Sequence, residues 1–588
     1  MEEKQKCVSI GGQALIEGVM MQSKTTQAMA VKNPDGFIEL KVTKLKGIGV
    51  WAKVPIIRGC IAFIKSLISG TKSTYESAEV AFPEEETPGT FLMTISIILG
   101  LALSIGLFFV LPSLIVNGIE SLFQINIDTY LVSLIEGVIR IMIFILYLLL
   151  VSKMKDIRRT FMYHGAEHRT INCFEKGEDL TVENVQKCST RHNRCGTTFL
   201  FFVMIMSILI VALSTLIFSL CGLGWVMEHK WWRIVVRIAL LPIIAGFSYE
   251  LLQGLARLPD NWFVDIFRAP GLALQRLTTY APEDDMAKVA ILAFNTVREY
   301  DANPNKEIVL FGQYEIARLR PYLLEQLACT DADSAEVDWI LCSALKVKRG
   351  ELAFLPPLNK EQYKSVIELV NKRKSGIPLD YILGESEFYG LKIKVNENVL
   401  IPRLDTEVVV ETALKHVKSG DKVLDLMTGS GCIAKAIANN SKAQVFASDI
   451  SEKAIEIAKE NLKEENVLVL KSDVLESIEE TFDLIVSNPP YIKTEVLKTL
   501  TKEVLAQPHL ALDGGEDGLD IYRKIVDQAP SRLTEDGALV LEIGYDQAEE
   551  VAGLLIDKFS FVRVIKDLNG NDRVVIAKNK KVKKNERI

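Results

Sequence analysis

Four long apolar stretches limit what the first half of this chain can fold into. They cover residues 91–116, 130–151, 198–222 and roughly 234–252. A helix of about 20 apolar residues spans the hydrocarbon core of a bilayer, which is ~30 Å thick. The pattern therefore predicts an N-terminal α-helical membrane domain with about four transmembrane helices.

Basic residues indicate on which side of the membrane the loops lie. The connection 117–129 carries no Lys or Arg. The loop 152–197 carries nine, namely Lys153, Lys155, Arg158, Arg159, Arg169, Lys176, Lys187, Arg191 and Arg194. Loops rich in Lys and Arg remain in the cytoplasm. We therefore expect a multispanning protein that contacts the lipid bilayer and has both termini, and its whole second half, in the cytoplasm.

Charged residues inside an apolar stretch need a partner, because an unpaired charge in hydrocarbon is costly. Glu136 and Arg140 lie one helical turn apart in the second stretch, so we expect them to neutralise one another. Glu250 in the fourth stretch has no such neighbour, and an unpaired carboxylate there favours a metal site.

The basic loop contains a pattern typical of metal binding. His164 and His168 are four residues apart, so a helix places both rings on one face, and the H-x-x-E-H spacing is that of inverted zinc peptidases. His192 and Cys195 are candidates for further ligands in the same loop. The pattern predicts a site for Zn or another divalent metal at His164 and His168. The alternative is a polar helix that leaves the membrane and binds no metal.

The second half of the chain alternates between strand and helix patterns. A glycine-containing turn at 427–431 leads into a helix that begins near Cys432, and Asp449 follows about twenty residues after the turn, the spacing of a carboxylate that binds ribose hydroxyls. Asp473 follows the third strand. This order predicts a doubly wound α/β sheet whose crevice at the carboxyl ends of the strands binds a nucleotide. The predicted strands are 423–426, 444–449, 467–470 and 482–487.

Asn488-Pro489-Pro490-Tyr491 follow the last of these strands. Pro490 pushes Pro489 towards an extended conformation, so the Pro489 carbonyl is free to accept a hydrogen bond. The side-chain oxygen of Asn488 is a second acceptor, and Tyr491 adds a flat aromatic face. Such a loop can hold a planar NH2 group. We therefore predict that all four residues bind the substrate and that Asn488, Pro489 and Tyr491 are catalytic.

Residues from about 312 to 577 resemble the protein-(glutamine-N5) methyltransferases that modify class I peptide chain release factors. The resemblance implies a Rossmann-like enzyme that transfers a methyl group from S-adenosylmethionine to the side-chain amide nitrogen of a glutamine. The motifs that carry it are Tyr381-Ile382-Leu383-Gly384, Phe388-Tyr389-Gly390, Ile401-Pro402-Arg403, Asp405-Thr406-Glu407, Asn488 to Tyr491, Gly514-Gly515 with Asp517-Gly518-Leu519, and Glu542-Ile543-Gly544.

The same resemblance implies where the cofactor lies, with its ribose on Asp449 and its adenine near Asp473 and Val474. The full set of implied cofactor-binding residues is Met427, Thr428, Gly429, Ser430, Gly431, Asp449, Asp473, Val474 and Asn488. Two residues depart from the family pattern. Met427 stands where the family has a glycine, and Gln507 stands where a glutamate is usual. The first departure leaves open the alternative that the protein keeps the methyltransferase fold but does not catalyse methyl transfer. The reason is that a side chain enters where the backbone normally approaches the ligand.

Residues 1 to about 298 resemble an uncharacterised bacterial family of multispanning membrane proteins, sometimes described as predicted metal-dependent enzymes. The resemblance implies a bacterial cell membrane and no established reaction, so a metal-dependent membrane protein is an alternative interpretation of the chain. The motifs are Gly11-Gly12-Gln13, Glu17-Gly18-Val19-Met20-Met21, Tyr163 to His168, Arg194-Cys195-Gly196-Thr197, Ser248-Tyr249-Glu250, and Leu274-Gln275 with Thr278-Thr279. The first tripeptide also occurs in release factors, but it is short and is most simply interpreted as a turn.

These patterns divide the chain into four parts. A membrane domain covers 1–298, a polar linker 299–311, a helical substrate-recognition domain 312–376 and the methyltransferase domain 377–588. The linker is predicted from a polar stretch that contains Pro304.

The loop at Asn488 does not by itself choose the substrate, because adenine-N6 and cytosine-N4 methyltransferases use similar loops. Such enzymes need a basic surface and a module that flips a base out of the duplex. The chain has a formal net charge of -7 and a helical segment in front of the sheet. A release factor is therefore the favoured partner, and no sequence-specific nucleic acid is expected.

Overall fold

The computed structural model describes residues 10–45, 54–83, 90–125, 127, 129–193, 195–258, 262–330 and 332–581. The chain divides into two compact units, Met1–Gln313 and Tyr314–Ile588. Each unit has its own buried apolar core.

The N-terminal unit is mostly helical. A π-helical turn, Gly106–Val110, joins its second and third helices. The helices are α1 (Ile57–Ala81), α2 (Thr90–Ile105), α3 (Leu111–Phe123), α4 (Thr129–Val151), α5 (Lys155–Glu175), α6 (Val182–Lys187), α7 (Gly196–Leu220), α8 (Gly224–Glu228), α9 (Lys230–Arg257), α10 (Trp262–Thr278) and α11 (Asp284–Ala302).

The same unit also contains a four-stranded antiparallel sheet, which the prediction of an α-helical membrane domain did not include. Gly11-Gly12-Gln13 lies in the first strand, where we expected a turn. A hairpin signal was present in the sequence, because Asn33-Pro34-Asp35-Gly36 is a turn sequence and residues 38–42 alternate apolar and polar side chains. The strands, paired in chain order, are β1 (Gly11–Leu15), β2 (Gly18–Gln22), β3 (Thr26–Lys32) and β4 (Ile38–Lys44).

One face of this sheet packs against α5 and α11. Val19 and Ala28 of the sheet share a buried core with Tyr163 of α5 and Phe294 of α11. All four side chains are fully buried. Because α5 also carries the predicted metal ligands, this core fixes the helix on which they lie.

Four helical stretches of this unit are long and apolar enough to cross a membrane, which agrees in number and in place with the four predicted spans. The agreement concerns length and composition. The stretches are Thr94–Phe123, Leu131–Val151, Gly196–Leu220 and Trp231–Leu255.

Two charged residues inside these stretches have partners that we did not predict. Glu136 forms an ion pair with Arg237 of α9, a partner that we did not expect, and its charge also attracts that of Arg140, as we did expect. Glu250 accepts a hydrogen bond from Arg58 Nε on α1 at 2.7 Å, so its carboxylate is paired and gives no support to a metal site. Both partners are distant in sequence, which is why spacing along one helix could not identify them.

The predicted linker 299–311 is packed over part of its length. Helix α11 continues past its start, and Tyr300 is buried with its hydroxyl donating to the Glu307 carbonyl at 2.5 Å. The Val309 carbonyl accepts a hydrogen bond from the Val42 N–H at 2.9 Å. The segment therefore belongs to the N-terminal unit, because its backbone is bonded to β4.

The second unit begins with a small helical bundle within the range predicted to be helical. Leu319, Leu323 and Ile340 are fully buried in it. The Tyr314 ring stacks on that of Tyr363 with 3.9 Å between centroids. Its helices are α12 (Ile316–Gln326), α13 (Ser334–Leu345) and α14 (Lys360–Lys374), with a 3₁₀ turn at Arg349–Phe354.

The rest of the second unit alternates strands and helices as expected. Every predicted strand is present, with bounds that differ by no more than one residue. The elements are α15 (Leu379–Leu383), β5 (Glu385–Phe388), β6 (Leu391–Lys394), a 3₁₀ turn at Leu404–Thr406, α16 (Glu407–Leu414), β7 (Lys422–Leu426), α17 (Cys432–Asn440), β8 (Gln444–Asp449), α18 (Glu452–Asn461), β9 (Leu468–Lys471), β10 (Phe482–Ser487), α19 (Thr494–Leu497), α20 (Lys502–Leu505), a 3₁₀ turn at His509–Ala511, α21 (Asp520–Arg532), β11 (Leu533–Glu542), α22 (Ala548–Ile556), β12 (Phe559–Lys566) and β13 (Asp572–Lys580).

Strands β7 to β13 form one sheet in the order β12-β13-β11-β10-β7-β8-β9. The five strands from β11 to β9 are parallel, and β13 runs antiparallel between β11 and β12. The chain leaves β7 towards β8 and β9 and then returns to β10 on the other side. The strand order thus reverses between β7 and β10, and ligands of such sheets bind at the carboxyl ends of the strands at this point.

Candidate functional site

A cavity of about 260 Å³ lies at this reversal point. Pro489 is buried and Gly431 caps α17, and neither lines the cavity; Tyr491 does not line it either. The other residues predicted to bind the cofactor or the substrate are brought together in its lining, namely Met427, Thr428, Gly429, Ser430, Asp449, Asp473, Val474, Asn488 and Pro490.

The turn after β7 is held by a carboxyl group beneath it. Asp425 Oδ2 accepts hydrogen bonds from the Thr428 hydroxyl at 2.5 Å and from the Ala434 N–H at 3.0 Å. Burial raises the pKa of Asp425 to about 7. Met427 and Gly431 have φ of 61° and 81°, in the left-handed region that favours glycine. The turn therefore presents its backbone to the cavity, at the cost of strain at Met427.

Asp449 ends β8 and is tied to this turn. Its Oδ2 accepts the Gly429 N–H and its Oδ1 the Ser451 N–H, each at 2.9 Å. Burial raises the pKa of Asp449, although these backbone donors favour its charged form. The carboxylate is thus held at the cavity wall, as a group that binds ribose hydroxyls requires.

Asp473 and Val474 line another part of the cavity. Asp473 is half-exposed and lies 3.8 Å from the ammonium group of Lys524. Val474 is buried and has a φ of 46°, which is unusual for a β-branched residue. Backbone strain of this kind concentrates at functional sites.

Asn488 ends β10 with its amide oriented by a neighbour. Its Nδ2 donates to the Thr406 hydroxyl oxygen at 3.2 Å. Since the nitrogen is engaged with Thr406, the Oδ1 atom is the end of the amide that remains for a ligand. Thr406 and Asn488 both line the cavity.

Glu542, at the end of β11, lies beneath the same loop. It is 1% exposed, and burial raises its pKa to about 7, while the Thr406 hydroxyl and Arg573 oppose the rise. One carboxyl oxygen has no hydrogen-bond partner, and the other lies 3.5 Å from the Tyr491 hydroxyl. Burial also raises the pKa of Tyr491 to about 12. Thr406 and Glu542 belong to motifs that carry the resemblance, but their positions in the sequence suggested no role for either.

Two glycines allow the loop after Asn488 to pack closely. A Cβ atom on Gly514 would lie 2.7 Å from Tyr491 Cα, and one on Gly518 would lie 2.6 Å from the Tyr491 carbonyl oxygen. Gln547 Nε2 donates to that carbonyl at 3.1 Å. The loop is therefore fixed in place by backbone contacts.

The N-terminal unit holds a separate cluster around α5. The rings of His164 and His168 are 4.4 Å apart, and Cys195 Sγ lies 3.2 Å from His164 Nε2. One ligand atom from each of these residues lies within 4.8 Å of the others. His164 Nδ1 bonds to the Thr278 carbonyl at 2.9 Å, and His168 Nδ1 to the Thr190 carbonyl at 2.6 Å. Burial lowers the pKa of His168, which favours the neutral ring that binds metals.

Glu167 adds a buried carboxyl to this cluster. Burial raises its pKa, and one of its oxygens has no hydrogen-bond partner. A Cβ atom on Gly12 would lie 2.8 Å from this side chain, so the backbone of β1 packs closely against the carboxyl group. The Gly12 N–H favours the charged form of the carboxyl and so opposes the rise in its pKa.

The other further candidate from the sequence, His192, is directed elsewhere, and so is the nearby Cys188. His192 Nε2 lies 3.2 Å from Glu175 Oε2, outside the three-ligand group. Cys188 groups instead with Cys173 and Glu178, again within 4.8 Å. Of the candidates in the basic loop, Cys195 alone joins the two predicted histidines.

Proteins named release factor glutamine methyltransferase are similar to the C-terminal part of the chain. That of Thermodesulfovibrio yellowstonii is 42% identical over 258 residues, which cover 42% of this chain and 92% of that protein. That of Geobacter sulfurreducens is 44% identical over 248 residues, which cover 41% of this chain and 87% of that protein. The chain belongs to the release factor glutamine methyltransferase family. It is an S-adenosylmethionine-dependent methyltransferase, as the resemblance implied.

Family models confirm both resemblances. The model described as PrmC N-terminal domain matches residues 322–384, and the one described as Methyltransferase small domain matches residues 403–518. Residues 54–300 match a model described as Protein of unknown function (DUF1385). Among solved structures, a methyltransferase from Pyrococcus furiosus is 20% identical with a TM-score of 0.27, covering 37% of this chain and 98% of that chain.

The structure accounts for one of the two departures from the methyltransferase family pattern. Gln507 is 9% exposed, and its Oε1 accepts the Ile401 N–H at 3.2 Å. An amide oxygen can accept this hydrogen bond as a carboxylate would. The other departure, Met427, has a φ of 61°, in the left-handed region that favours glycine.

Proposed function

We propose that the second unit methylates the side-chain amide nitrogen of a glutamine in a class I peptide chain release factor. The observation that carries this proposal is the orientation of Asn488, whose amide nitrogen is bonded to Thr406 so that its oxygen remains as an acceptor. The proteins at 42% and 44% identity bear the name of this activity.

The cavity would hold S-adenosylmethionine. Asp449 would take the ribose hydroxyls, the turn 427–431 would lie along the amino acid portion, and Asp473 with Val474 would border the adenine. When bound, this cofactor supplies a methyl group activated by a sulfonium charge. Gly429 and Ser451 already fix the Asp449 carboxylate, so little ordering is left to occur on binding.

Asn488 and Pro489 would hold the substrate amide. Their two oxygens accept one N–H each, which directs the nitrogen lone pair away from both acceptors and towards the methyl carbon. Tyr491 flanks the amide. The new bond joins the amide nitrogen to the methyl carbon, the bond from that carbon to sulfur breaks, and one N–H proton leaves to solvent. Alignment supplies most of the rate in such a displacement.

A protein substrate is favoured over a nucleic acid by the part of the unit that precedes the sheet. Helices α12 to α14 are packed around Leu319, Leu323 and Ile340, and the chain as a whole carries a net charge of -7. This composition does not provide the basic surface that binds the phosphate backbone of a nucleic acid.

The test is to incubate the full chain with labelled methyl donor and a class I release factor, and to map the label by mass spectrometry. We expect one labelled glutamine, on its side-chain nitrogen. A release factor with that glutamine replaced by Leu is the control and should take up no label. Label on DNA or on another residue type would contradict the proposal.

We further propose that the N-terminal unit tethers the enzyme to the bacterial cell membrane and leaves the methyltransferase unit in the cytoplasm. The four apolar helices and the basic loop 152–197 support this topology. Protease added to intact spheroplasts should leave the second unit whole, and protease added after lysis should digest it. Digestion in intact spheroplasts would contradict the topology.

A second candidate function belongs to the N-terminal unit. We propose that His164 and His168 bind a divalent metal ion, because one ligand atom from each ring and Cys195 Sγ lie within 4.8 Å of one another. Metal analysis of the purified full chain should find about one ion, and His164→Ala and His168→Ala should each lower that content. Protein that is free of metal in all three forms would end this proposal.

A further inference from the structure

Within the part of the chain that the structure describes, the cluster around α5 offers three ligands rather than four. Among the residues that the structure describes, no fourth His, Cys, Asp or Glu joins His164, His168 and Cys195 within the shared distance of 4.8 Å. Structural zinc sites are closed by four protein ligands, whereas catalytic sites have three and keep one position for water or substrate. Three protein ligands are therefore typical of a catalytic zinc site with one open coordination position, and not of a structural zinc site.

Both histidines are already oriented for coordination. The Nδ1 atoms bond to the carbonyls of Thr278 and Thr190, which are backbone acceptors and so fix the tautomer with hydrogen on Nδ1. The Nε2 atoms are left with a lone pair. This is the usual arrangement behind a metal-binding histidine.

Cys195 is held in place at the start of α7. It is the N-cap of α7, and its Sγ accepts the Thr197 N–H at 3.4 Å. Its distance of 3.2 Å to His164 Nε2 is close to the roughly 3.5 Å that separates neighbouring ligands around a tetrahedral zinc ion.

Glu167 lies beside this group without joining it. Its carboxyl is buried, and one oxygen has no hydrogen-bond partner. A buried polar atom of this kind calls for a partner such as water or an ion. A water molecule bound at an open coordination position would supply one.

We propose that the N-terminal unit contains an open zinc-type centre with His164 Nε2, His168 Nε2 and Cys195 Sγ as ligands and a fourth position for water or a substrate oxygen. This rests on the metal binding proposed above. A thiolate in the ligand set selects Zn over Mg or Ca. Glu167 is not a ligand; it accepts a hydrogen bond from the molecule at the fourth position.

The test uses the full chain in detergent, stripped of metal and titrated with Co²⁺. We expect one equivalent to bind, with the near-ultraviolet absorption of a cobalt–thiolate bond. Cys195→Ser should lose that absorption and at least ~100-fold in cobalt affinity, more than the loss of a group behind a ligand. Cys188→Ser, from the neighbouring Cys173–Glu178–Cys188 group, is the matched control and should keep both. Glu167→Gln should keep the stoichiometry and the thiolate absorption.

Azide then tests the open position. Added to the cobalt form, it should shift the visible absorption bands with saturation, because an open coordination position accepts an anion. X-ray absorption of the zinc form needs no substitution and should show one sulfur at about 2.3 Å beside nitrogen or oxygen ligands at about 2.0 Å.

The outcomes separate this inference from the proposal on which it rests. No bound cobalt overturns both. Cobalt that binds without thiolate absorption, or that is indifferent to azide, overturns the open three-ligand centre and leaves metal binding in place. Loss of the thiolate absorption in Cys188→Ser instead of Cys195→Ser would also overturn it.

Discussion

The two units orient their functional side chains in different ways. In the methyltransferase unit, the Asn488 amide is bonded to a side chain, the hydroxyl of Thr406. In the N-terminal unit, the rings of His164 and His168 are bonded to the backbone carbonyls of Thr278 and Thr190. One substitution removes a side-chain partner but leaves a backbone carbonyl in place. The first site should therefore be sensitive to changes in its neighbours, and the second should not.

Asn488→Ala gives the largest expected effect, because it removes the acceptor itself. We expect the rate of methyl transfer to fall about 10³-fold, in line with the loss of a single oriented hydrogen-bonding group at a reacting centre. Cofactor affinity, measured by calorimetry, should change less than about tenfold. Turnover close to that of the wild type would exclude the role of Asn488.

Thr406→Val tests whether the amide needs its partner. Valine keeps the shape but offers no acceptor to Asn488 Nδ2, so the amide is free to rotate and present its nitrogen to the substrate. We expect kcat to fall ten- to a hundredfold, about 1.4 to 2.7 kcal/mol, with a smaller change in KM.

Thr406→Ser is the matched control, since it keeps the hydroxyl. It should restore most of the activity that Thr406→Val loses. Equal losses in both variants would mean that Thr406 acts only through packing, and the contrast between the two units would then disappear.

Glu542→Gln tests how the stability of the methyltransferase unit depends on pH. Burial raises the pKa of Glu542 to about 7 in the folded protein, above its ordinary value of about 4.5. The native state therefore holds this proton more tightly than the unfolded chain, and stability is lost as the pH rises from about 4.5 through 7. The variant should gain on the order of 2 kcal/mol at pH 8 and nothing at pH 4.5.

The measurement for Glu542→Gln is the temperature at which half of the methyl-transfer activity survives heating, followed across this pH range. Asp425, whose pKa burial also raises to about 7, remains in the variant and preserves part of the pH dependence. A gain that is equal at pH 4.5 and pH 8 would show that Glu542 is not the titrating group.

Sequence reasoning predicted the second unit better than the first for physical reasons. The strand that ends in Asp449 has the bounds expected, because parallel strands are continuous apolar runs that end at polar site residues. Thr406 was not assigned a role, because it is far from Asn488 in sequence and only the fold brings them together. Nothing in a single sequence gives the hydrogen bond between them.

In the first unit, the spacing of residues on one helix gave correct predictions, whereas ion-pair partners on different helices could not be predicted. His164 and His168 share a helix face, as their spacing indicates. The partner of Glu250 is Arg58, on another helix, and no periodicity within one segment could identify it. The sheet β1–β4 was missed because β2 and β3 are buried along almost their whole length, which hides the alternation that reveals a strand with one exposed face.

Met427→Gly should have a smaller effect, and in the favourable direction. The left-handed φ of 61° costs a methionine about 1 kcal/mol, and glycine removes this strain. Part of the stability gained is lost again, because glycine has more conformational freedom in the unfolded chain. Removal of a side chain from the cavity wall should tighten S-adenosylmethionine binding about threefold in a calorimetric titration. Met427→Ala keeps the strain and removes most of the side chain, so it separates the two causes. Weaker binding in both variants would show that the methionine contacts the cofactor productively.

Thr190→Ala completes the comparison with the smallest expected effect. His168 bonds to the carbonyl oxygen of Thr190, not to its hydroxyl, and alanine supplies the same carbonyl. Metal content and cobalt affinity should therefore stay within about twofold of the wild type, whereas His168→Ala should lose the metal. Metal analysis of the two variants side by side measures this contrast. A large loss of metal in Thr190→Ala would mean that the neighbouring side chain holds the ring after all, and both sites would then depend on their surroundings in the same way.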